Sequence, residues 1–421
     1  MNKLLISLTL LTLPFSYCAA EDSALDRLGA AGVSGPAPAA VPAPEPVADR
    51  SAAPAARKEW TVMVFLNAKN DLERFGMQDF NEMERVGSTD QVSVVVEMGR
   101  MAGYDASDGD WTGVRRYYVT RDSDTRRITS RVVENMGSVN MGDADELRKF
   151  VAWAKQRYPA NRYALVVWNH GSGWLRGNPA PYEGKGISYD DETGNNIDTP
   201  QLRRSIADAG GVDLLASDAC LMQMAEVAYE VRGAAKYMVG SEETEPGAGY
   251  DYRKVLLPLT LLPSMSTANF GRVIVAAYWD NNKIGRTVAT HSILDLSKAT
   301  GLAQRMHAFA RTAMASPDKA AIQAARNAAQ RYAIGDNKDL RHFAQLVADR
   351  ATDQNLKAAA RSLVSFIDDE LVVLNMTSII PRSNSGGIAA YLPTGAVSPD
   401  FAALQLSQGT QWDEFLAWQA R

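Results

Sequence analysis

Cysteine is almost missing from this chain: Cys18 and Cys220 are the only two in 421 residues. Such a count excludes a disulfide-rich scaffold, so the fold has to be held by its apolar core. Histidine is nearly as scarce. His170, His291, His307 and His342 lie far apart and show no zinc-ligand spacing, so no metal site is expected from them. Positive charge is not in excess: the formal net charge is −5, which argues against nucleic acid as a partner. Beyond the N-terminus no apolar run is long enough to span a bilayer, so no membrane association is expected once that segment is gone. Gly171-Ser172-Gly173 lacks the spacing of a serine nucleophile elbow, which sets Ser172 aside.

Apolar residues make up 46 % of the chain, enough for a large core. Lys3, the apolar run Leu4 to Phe15, and Cys18-Ala19-Ala20 before Glu21 read as a signal peptide over residues 1–20. Lipid attachment at Cys18 is disfavoured by Tyr17, where a small residue is expected. Cleavage after Ala20 removes Cys18 and leaves Cys220 as the one cysteine of the mature chain. A lone cysteine in an exported protein is flagged as reactive; a small buried hydrophobe is the bland alternative. Residues 21–58 are rich in Ala and Pro and read as a linker or pro-segment with extended geometry.

From residue 59 the pattern is α/β. Strands are expected at Trp60–Leu66, Gln91–Met98, Arg115–Thr120 (at an edge), Tyr163–Trp168, Asp213–Ser217 and Tyr237–Gly240. Helices are expected at Asp71–Val86, Ala144–Tyr158, Thr199–Asp208 and Leu221–Val231. Near-continuous apolar strands alternating with helices imply a mostly parallel sheet covered on both faces. Residues 259–421 are largely helical, with two short strand-like pieces near the end, and read as a mixed subdomain packing on the domain formed by 59–258.

Ligands of such sheets bind beyond the carboxyl ends of the strands. His170 follows one predicted strand and Cys220 another, fifty positions later. A thiol and an imidazole at one end of a sheet make a nucleophile with its base. Cys220 is expected to open a helix, whose N-terminus would favour the thiolate. The N–H groups of Gly171 and Cys220 are candidates for stabilising an oxyanion. Asp218, two residues before Cys220, is of a type favoured for capping the helix after it.

Several segments resemble the clostripain family of cysteine peptidases, relatives in fold of the caspases and gingipains. The resemblance is carried by Asn67-Ala68-Lys69-Asn70-Asp71-Leu72-Glu73, by Asn169-His170-Gly171 and by Asp218-Ala219-Cys220. It continues in the long run from Ser241-Glu242-Glu243 to Tyr252, and in Gly386-Gly387-Ile388-Ala389-Ala390-Tyr391-Leu392-Pro393. It implies a caspase-like fold and a Cys220/His170 dyad with no third member; Asp213 and Asp251 are the carboxylates that could be proposed as one. It further implies cleavage after Arg, then Lys, with Asp218 in the pocket. The segment Ser241–Tyr252 is expected to wall that pocket, with Glu243 and Asp251 facing a cationic substrate. Self-cleavage is also implied, and Lys185-Gly186 in a Gly-rich loop is the candidate processing site.

No cofactor is required on this reading. Calcium is needed by some of the family, but Asp190, Asp191, Glu192 and Asn195, or Asp105, Asp108 and Asp110, lack the spacing of a calcium loop. The expectation is therefore a secreted or periplasmic monomeric endopeptidase acting on protein or peptide substrates. A non-catalytic binding protein on the same fold, and a cysteine-dependent amidase or transpeptidase, are the alternatives.

Overall fold

The computed structural model of the protein describes residues 57–176, 185–282, 289–378 and 382–421. The signal peptide and most of the Ala/Pro-rich segment lie outside these residues. The chain runs β1 (Lys58–Ala68), α1 (Glu73–Glu84), β2 (Val92–Arg100), β3 (Gly113–Tyr118), β4 (Arg131–Gly137), α2 (Ala144–Arg157), β5 (Ala160–Trp168), β6 (Gly171–Arg176), β7 (Lys185–Asp190), β8 (Asn195–Ile197), α3 (Thr199–Asp208), β9 (Val212–Asp218), α4 (Ala225–Val231) and β10 (Ala235–Gly240). It continues through α5 (Tyr252–Leu261), α6 (Thr267–Asn282), β11 (Thr290–Asp295), α7 (Ala299–Ala315), α8 (Lys319–Ala328), β12 (Asn337–Asp339), α9 (Leu340–Arg350), α10 (Gln354–Phe366), β13 (Val372–Thr377), β14 (Ala389–Tyr391), α11 (Gln405–Gly409) and α12 (Trp412–Ala420).

One nine-stranded sheet, in the order β13-β11-β10-β9-β5-β1-β2-β3-β4, organises the molecule. Its centre, β10-β9-β5-β1-β2, is parallel, and antiparallel strands flank it on both sides. The α/β fold with a parallel core is therefore as expected. Side chains alternate between two cores, as the period of a strand requires. Met63 and Phe65 of β1 face the layer that includes Phe150 of α2 and Leu202 of α3. Val62, Val64 and Leu66 face the layer that includes Phe80 of α1, Leu256 of α5 and Ile274 of α6. Burial on both faces explains why these strands read as unbroken apolar runs rather than alternating ones.

Three placements differ from the sequence reading. Arg115–Tyr118 is not the edge, because β4, whose residues are largely exposed, pairs outside β3. The segment after residue 258 supplies β11 and β13 to the main sheet as well as helices. The helix after Cys220 starts at Ala225 rather than Leu221. Its delay has a backbone cause: Leu221 has φ of 63°, a left-handed conformation that interrupts a right-handed helix.

The chain enters at β1 in the middle of the sheet, goes to β2 on one side, and returns through α2 to β5 on the other. That reversal creates a crevice at the carboxyl ends of β1 and β5, the place where ligands bind in open α/β sheets.

Candidate active site

Register places the two reactive residues at one height. Trp168 at the end of β5 pairs with Asp218 at the end of β9. His170 and Cys220 each come two residues further on, on adjacent strands separated by about 4.8 Å. The Asn169 amide donates to the Asp218 carbonyl at 3.2 Å, which ties the two strand ends together. Both residues are nearly buried, and both line one narrow cleft together with Trp168, Asp218, Glu245, Pro246 and Gly249.

The nucleophile sits in a sutured turn. The Leu221 amide donates to Glu243 O at 3.0 Å and the Gln223 amide to Ser241 O at 2.9 Å. The Gln223 side chain donates to the Ser292 carbonyl, and the Ala389 amide donates to Gln223 O. These bonds hold the strained φ of Leu221 in place. They also explain two motifs: the Ser241 segment and the Gly386–Pro393 segment both grip the turn that carries Cys220. Because the helix begins five residues after Cys220, its dipole does not address the sulfur. A backbone donor does: the Glu245 amide points at Cys220 Sγ from 3.2 Å.

Gly171 packs against this turn so closely that a Cβ there would fall 2.4 Å from the Cys220 carbonyl oxygen. A side chain is excluded, and the Gly171 backbone stays beside that of Cys220.

The histidine loop rests on the Asn67–Glu73 motif. Asn67 Nδ2 donates to Ser188 Oγ and to Tyr189 O, Asn70 Nδ2 donates to Tyr189 O, and Asn169 Nδ2 donates to Asn67 O. Lys69, fully buried, bonds Val139 O and bridges Asp190 and Glu192. Its ammonium thus lies among the acids first considered for calcium. Asp191 instead accepts from Tyr104, and Asp105 faces Arg100. Among the described residues no three His, Cys, Asp or Glu side chains converge as metal ligands.

His170 Nε2 lies 2.8 Å from Asp71 Oδ1. The sequence reading assigned no such partner, and the two carboxylates it named are elsewhere. Asp213 accepts from the Tyr163 amide and pairs with Lys236 at the opposite end of β9. Asp251 caps α5, accepting from the Lys254 amide.

Asp218 is buried and lines the cleft. Tyr252 Oη donates to its Oδ2 at 2.9 Å and the Tyr250 amide at 3.4 Å. Burial pushes its carboxyl up to about 7, against the pull of the Tyr252 hydroxyl, the Tyr250 amide and the Glu245 carboxyl. It caps no helix, since α4 starts at Ala225 without a side-chain cap. Gly249 abuts it: a Cβ there would meet Asp218 Oδ1 at 2.5 Å.

Of the other acids expected in the pocket, Glu243 is turned away. Its carboxylate is held by Arg382 and by the Ala333 amide. Glu245, two residues on, is the one that lines the cleft. Burial, then the charge of Asp218, drives its carboxyl well above the usual range. Glu242 is buried under Tyr332 and Gly387, where it is a structural clamp. The sequence contained all three acids in one run but gave no sign of which faced inward.

A sulfur and an imidazole at equal height on adjacent strand ends of a caspase-like sheet define the site of a cysteine peptidase. The chain belongs to the clostripain family, whose match covers residues 64–418. It is 29 % identical over 220 residues to clostripain of Hathewaya histolytica, an alignment covering 46 % of this chain and 41 % of that protein, so it spans less than half of that relative's length. Among solved structures it is similar to a secreted C11 cysteine protease from Bacteroides thetaiotaomicron in complex with an irreversible peptide inhibitor. That likeness has 21 % identity and a TM-score of 0.62, covering 86 % of this chain and 99 % of that one. An inactive zymogen C11 protease from Parabacteroides distasonis is similar at 18 % identity and a TM-score of 0.61, again over 86 % and 99 %. At these identities the likeness to the solved structures establishes the fold.

Proposed function

We propose that the protein is an exported endopeptidase that hydrolyses peptide bonds after Arg or Lys through Cys220 and His170. The observation that carries this reading is one cleft holding His170, Cys220 and the buried acid Asp218. A guanidinium or ammonium seated against Asp218 places the next carbonyl carbon at the sulfur. Cys220 Sγ attacks that carbon while His170 takes the thiol proton. The N–H groups of Gly171 and Cys220 stabilise the oxyanion. The proton passes from His170 to the leaving amine, and a thioester remains. Water, deprotonated by His170, then hydrolyses the thioester and frees the new carboxyl terminus.

The test is turnover of fluorogenic peptides by purified residues 57–421 under reducing conditions, with and without calcium. The residue before the cut is varied among Arg, Lys, Asp and Ala. Cleavage after Arg and Lys alone is expected. Silence on every substrate, in material whose maturation has been checked, would favour a non-catalytic binding protein. Joined products in the presence of an added amine would favour a transpeptidase.

Maturation by self-cleavage at Lys185-Gly186 belongs to the same proposal. Residues 177–184, just before this bond, lie outside the described residues. Gly186 has φ of 111° and its amide donates to Ser172 Oγ at 3.1 Å, so the bond sits at the first residues of β7. A cut there would need only the start of that strand to peel away. Mass spectrometry of the active protein should find a chain beginning at Gly186. An intact segment from Gly171 to Cys220 in fully active material would refute it.

A further inference from the structure

Three neighbouring parallel strands, β1, β5 and β9, deliver three residues to one end of the sheet. Asp71 comes three residues after β1, His170 two after β5 and Cys220 two after β9. Two of these are the dyad. The third has no role in the reaction as written above.

We infer that Asp71 is a positioning residue for the reaction: its carboxylate accepts the Nε2–H of His170, fixes the tautomer with Nδ1 as the basic nitrogen, and steadies the imidazolium that forms during attack. The inference rests on the cysteine-peptidase reading, and turnover by the parent enzyme tests that reading separately.

The geometry supports this in three ways. The 2.8 Å contact between Asp71 Oδ1 and His170 Nε2 is a hydrogen bond across 99 residues of sequence, so it is made by the fold and not by chain proximity. Asp71 is also held in place from both sides. Asn70 Oδ1 accepts the Leu72 amide at 3.0 Å, closing a turn with Asp71 at its centre. Asn70 Nδ2 reaches Tyr189 O at 2.9 Å, the same carbonyl that Asn67 and Asn169 contact. One hydrogen-bond network therefore locks the Asp71 turn and the His170 loop to each other. Finally, the imidazole is nearly buried, with its side chain 7 % exposed, so an imidazolium there lacks full hydration and gains from a carboxylate at contact.

The chemistry balances without a proton on Asp71. The thiol proton moves from Sγ to Nδ1, the Sγ–carbon bond forms, and Nδ1–H then protonates the leaving amine as the peptide C–N bond breaks. Nε2–H stays with His170 throughout, and Asp71 stays an anion. Among the described residues Asp191 is a second acid near the ring. It is bonded to the Tyr104 hydroxyl at 3.1 Å, so Asp71 is the acid in contact with the imidazole.

The role is tested with Asp71→Asn and Asp71→Glu in the full chain, each matured and assayed beside the parent. An amide can present its NH₂ to Nε2 and select the wrong tautomer. In a serine-protease triad the same change of a fully buried Asp lowers kcat about 10⁴-fold, and a partly exposed Asp71 is expected to cost roughly 10- to 100-fold. KM for an Arg peptide should stay within about twofold, since nothing in the Asp218 pocket changes. The rate of Cys220 alkylation by iodoacetamide should fall along with kcat, because it reports proton removal from sulfur without substrate. Asp71→Glu keeps the charge and should recover much of the loss. A kcat for Asp71→Asn within about threefold of the parent would overturn the inference. So would a loss confined to KM, or an equal loss in the Asn and Glu variants, either of which would assign Asp71 a packing role.

Discussion

Turnover of Arg peptides should fall on the order of 10⁴-fold or more in Cys220→Ala, in Cys220→Ser and in His170→Ala, with little change in folding. The size follows from what each residue does. Without sulfur there is no acyl-enzyme route, and without imidazole the thiol proton loses its proposed acceptor. Cys220→Ser is the sharper control. It preserves a polar atom in front of the Glu245 amide, 3.2 Å from Sγ in the parent, and so keeps that donor satisfied. Loss of activity in a stable Ser variant therefore isolates the chemistry of sulfur. The two residues act as one unit, so the Cys220→Ala/His170→Ala double variant should be no worse than either single one. Additive losses would mean that sulfur and imidazole work in separate steps, against the mechanism proposed here. Stability should move little, because Cys220 and His170 are small contributors to a core built from β1, β5 and β9. Thermal unfolding of all four variants checks this.

That His170 and Cys220 lie at one end of the sheet, lining one cleft, is legible in the sequence for a simple reason. Each follows a short apolar run, and a run buried on both faces marks a central parallel strand whose carboxyl end opens on the crevice. The parallel core was legible for the same cause. The flanks were not. No residue of β4 is buried, so it carries no apolar alternation to detect. The start of β13 is masked in the sequence, because the turn over Ile367–Leu371 carries the helical pattern that begins near Leu356 on into Val372-Val373. The start of α4 was misplaced because apolar periodicity cannot register a left-handed residue such as Leu221.

The second layer of the site was hidden by distance along the chain. Asp71 lies within the Asn67–Glu73 motif, yet its partner His170 is 99 residues away, and no local pattern encodes that contact. Within Ser241–Tyr252 the acids look alike in sequence. Arg382 and the Ala333 amide, both remote, decide that Glu243 turns out of the cleft, and Glu245 faces in. Tyr252 ends the motif, and nothing local shows that its hydroxyl donates to Asp218 at 2.9 Å. Composition announces the acids; only packing sorts them into clamp, cap and pocket.

The largest effect on substrate choice is expected at that pocket. Asp218→Asn should lower kcat/KM for Arg peptides by roughly 30- to 5,000-fold, the range set by about 2–5 kcal/mol for truncating one partner of a buried charge pair. Peptides carrying citrulline, which has Arg's shape without its charge, should change far less, so the preference for Arg over citrulline should collapse. The sign of the pH dependence follows from the environment of the acid. Burial pushes Asp218 up to about 7 in the empty pocket, so its neutral form dominates below that pH. Among the described residues its bonded partners are Tyr252, Tyr250 and Glu245, none of them a cation. A bound guanidinium supplies the missing positive charge and favours the carboxylate, so binding below pH 7 releases a proton. KM for Arg peptides should therefore rise as pH falls below about 7, approaching tenfold per pH unit, while KM for citrulline peptides stays nearly flat. Comparing the two substrates at each pH cancels any contribution from His170, which both share. In Asp218→Asn the difference between them should vanish at every pH. An Arg-over-citrulline preference that survives in this variant, with its pH dependence intact, would show that another group binds the cation, and Glu245 would be the first to replace.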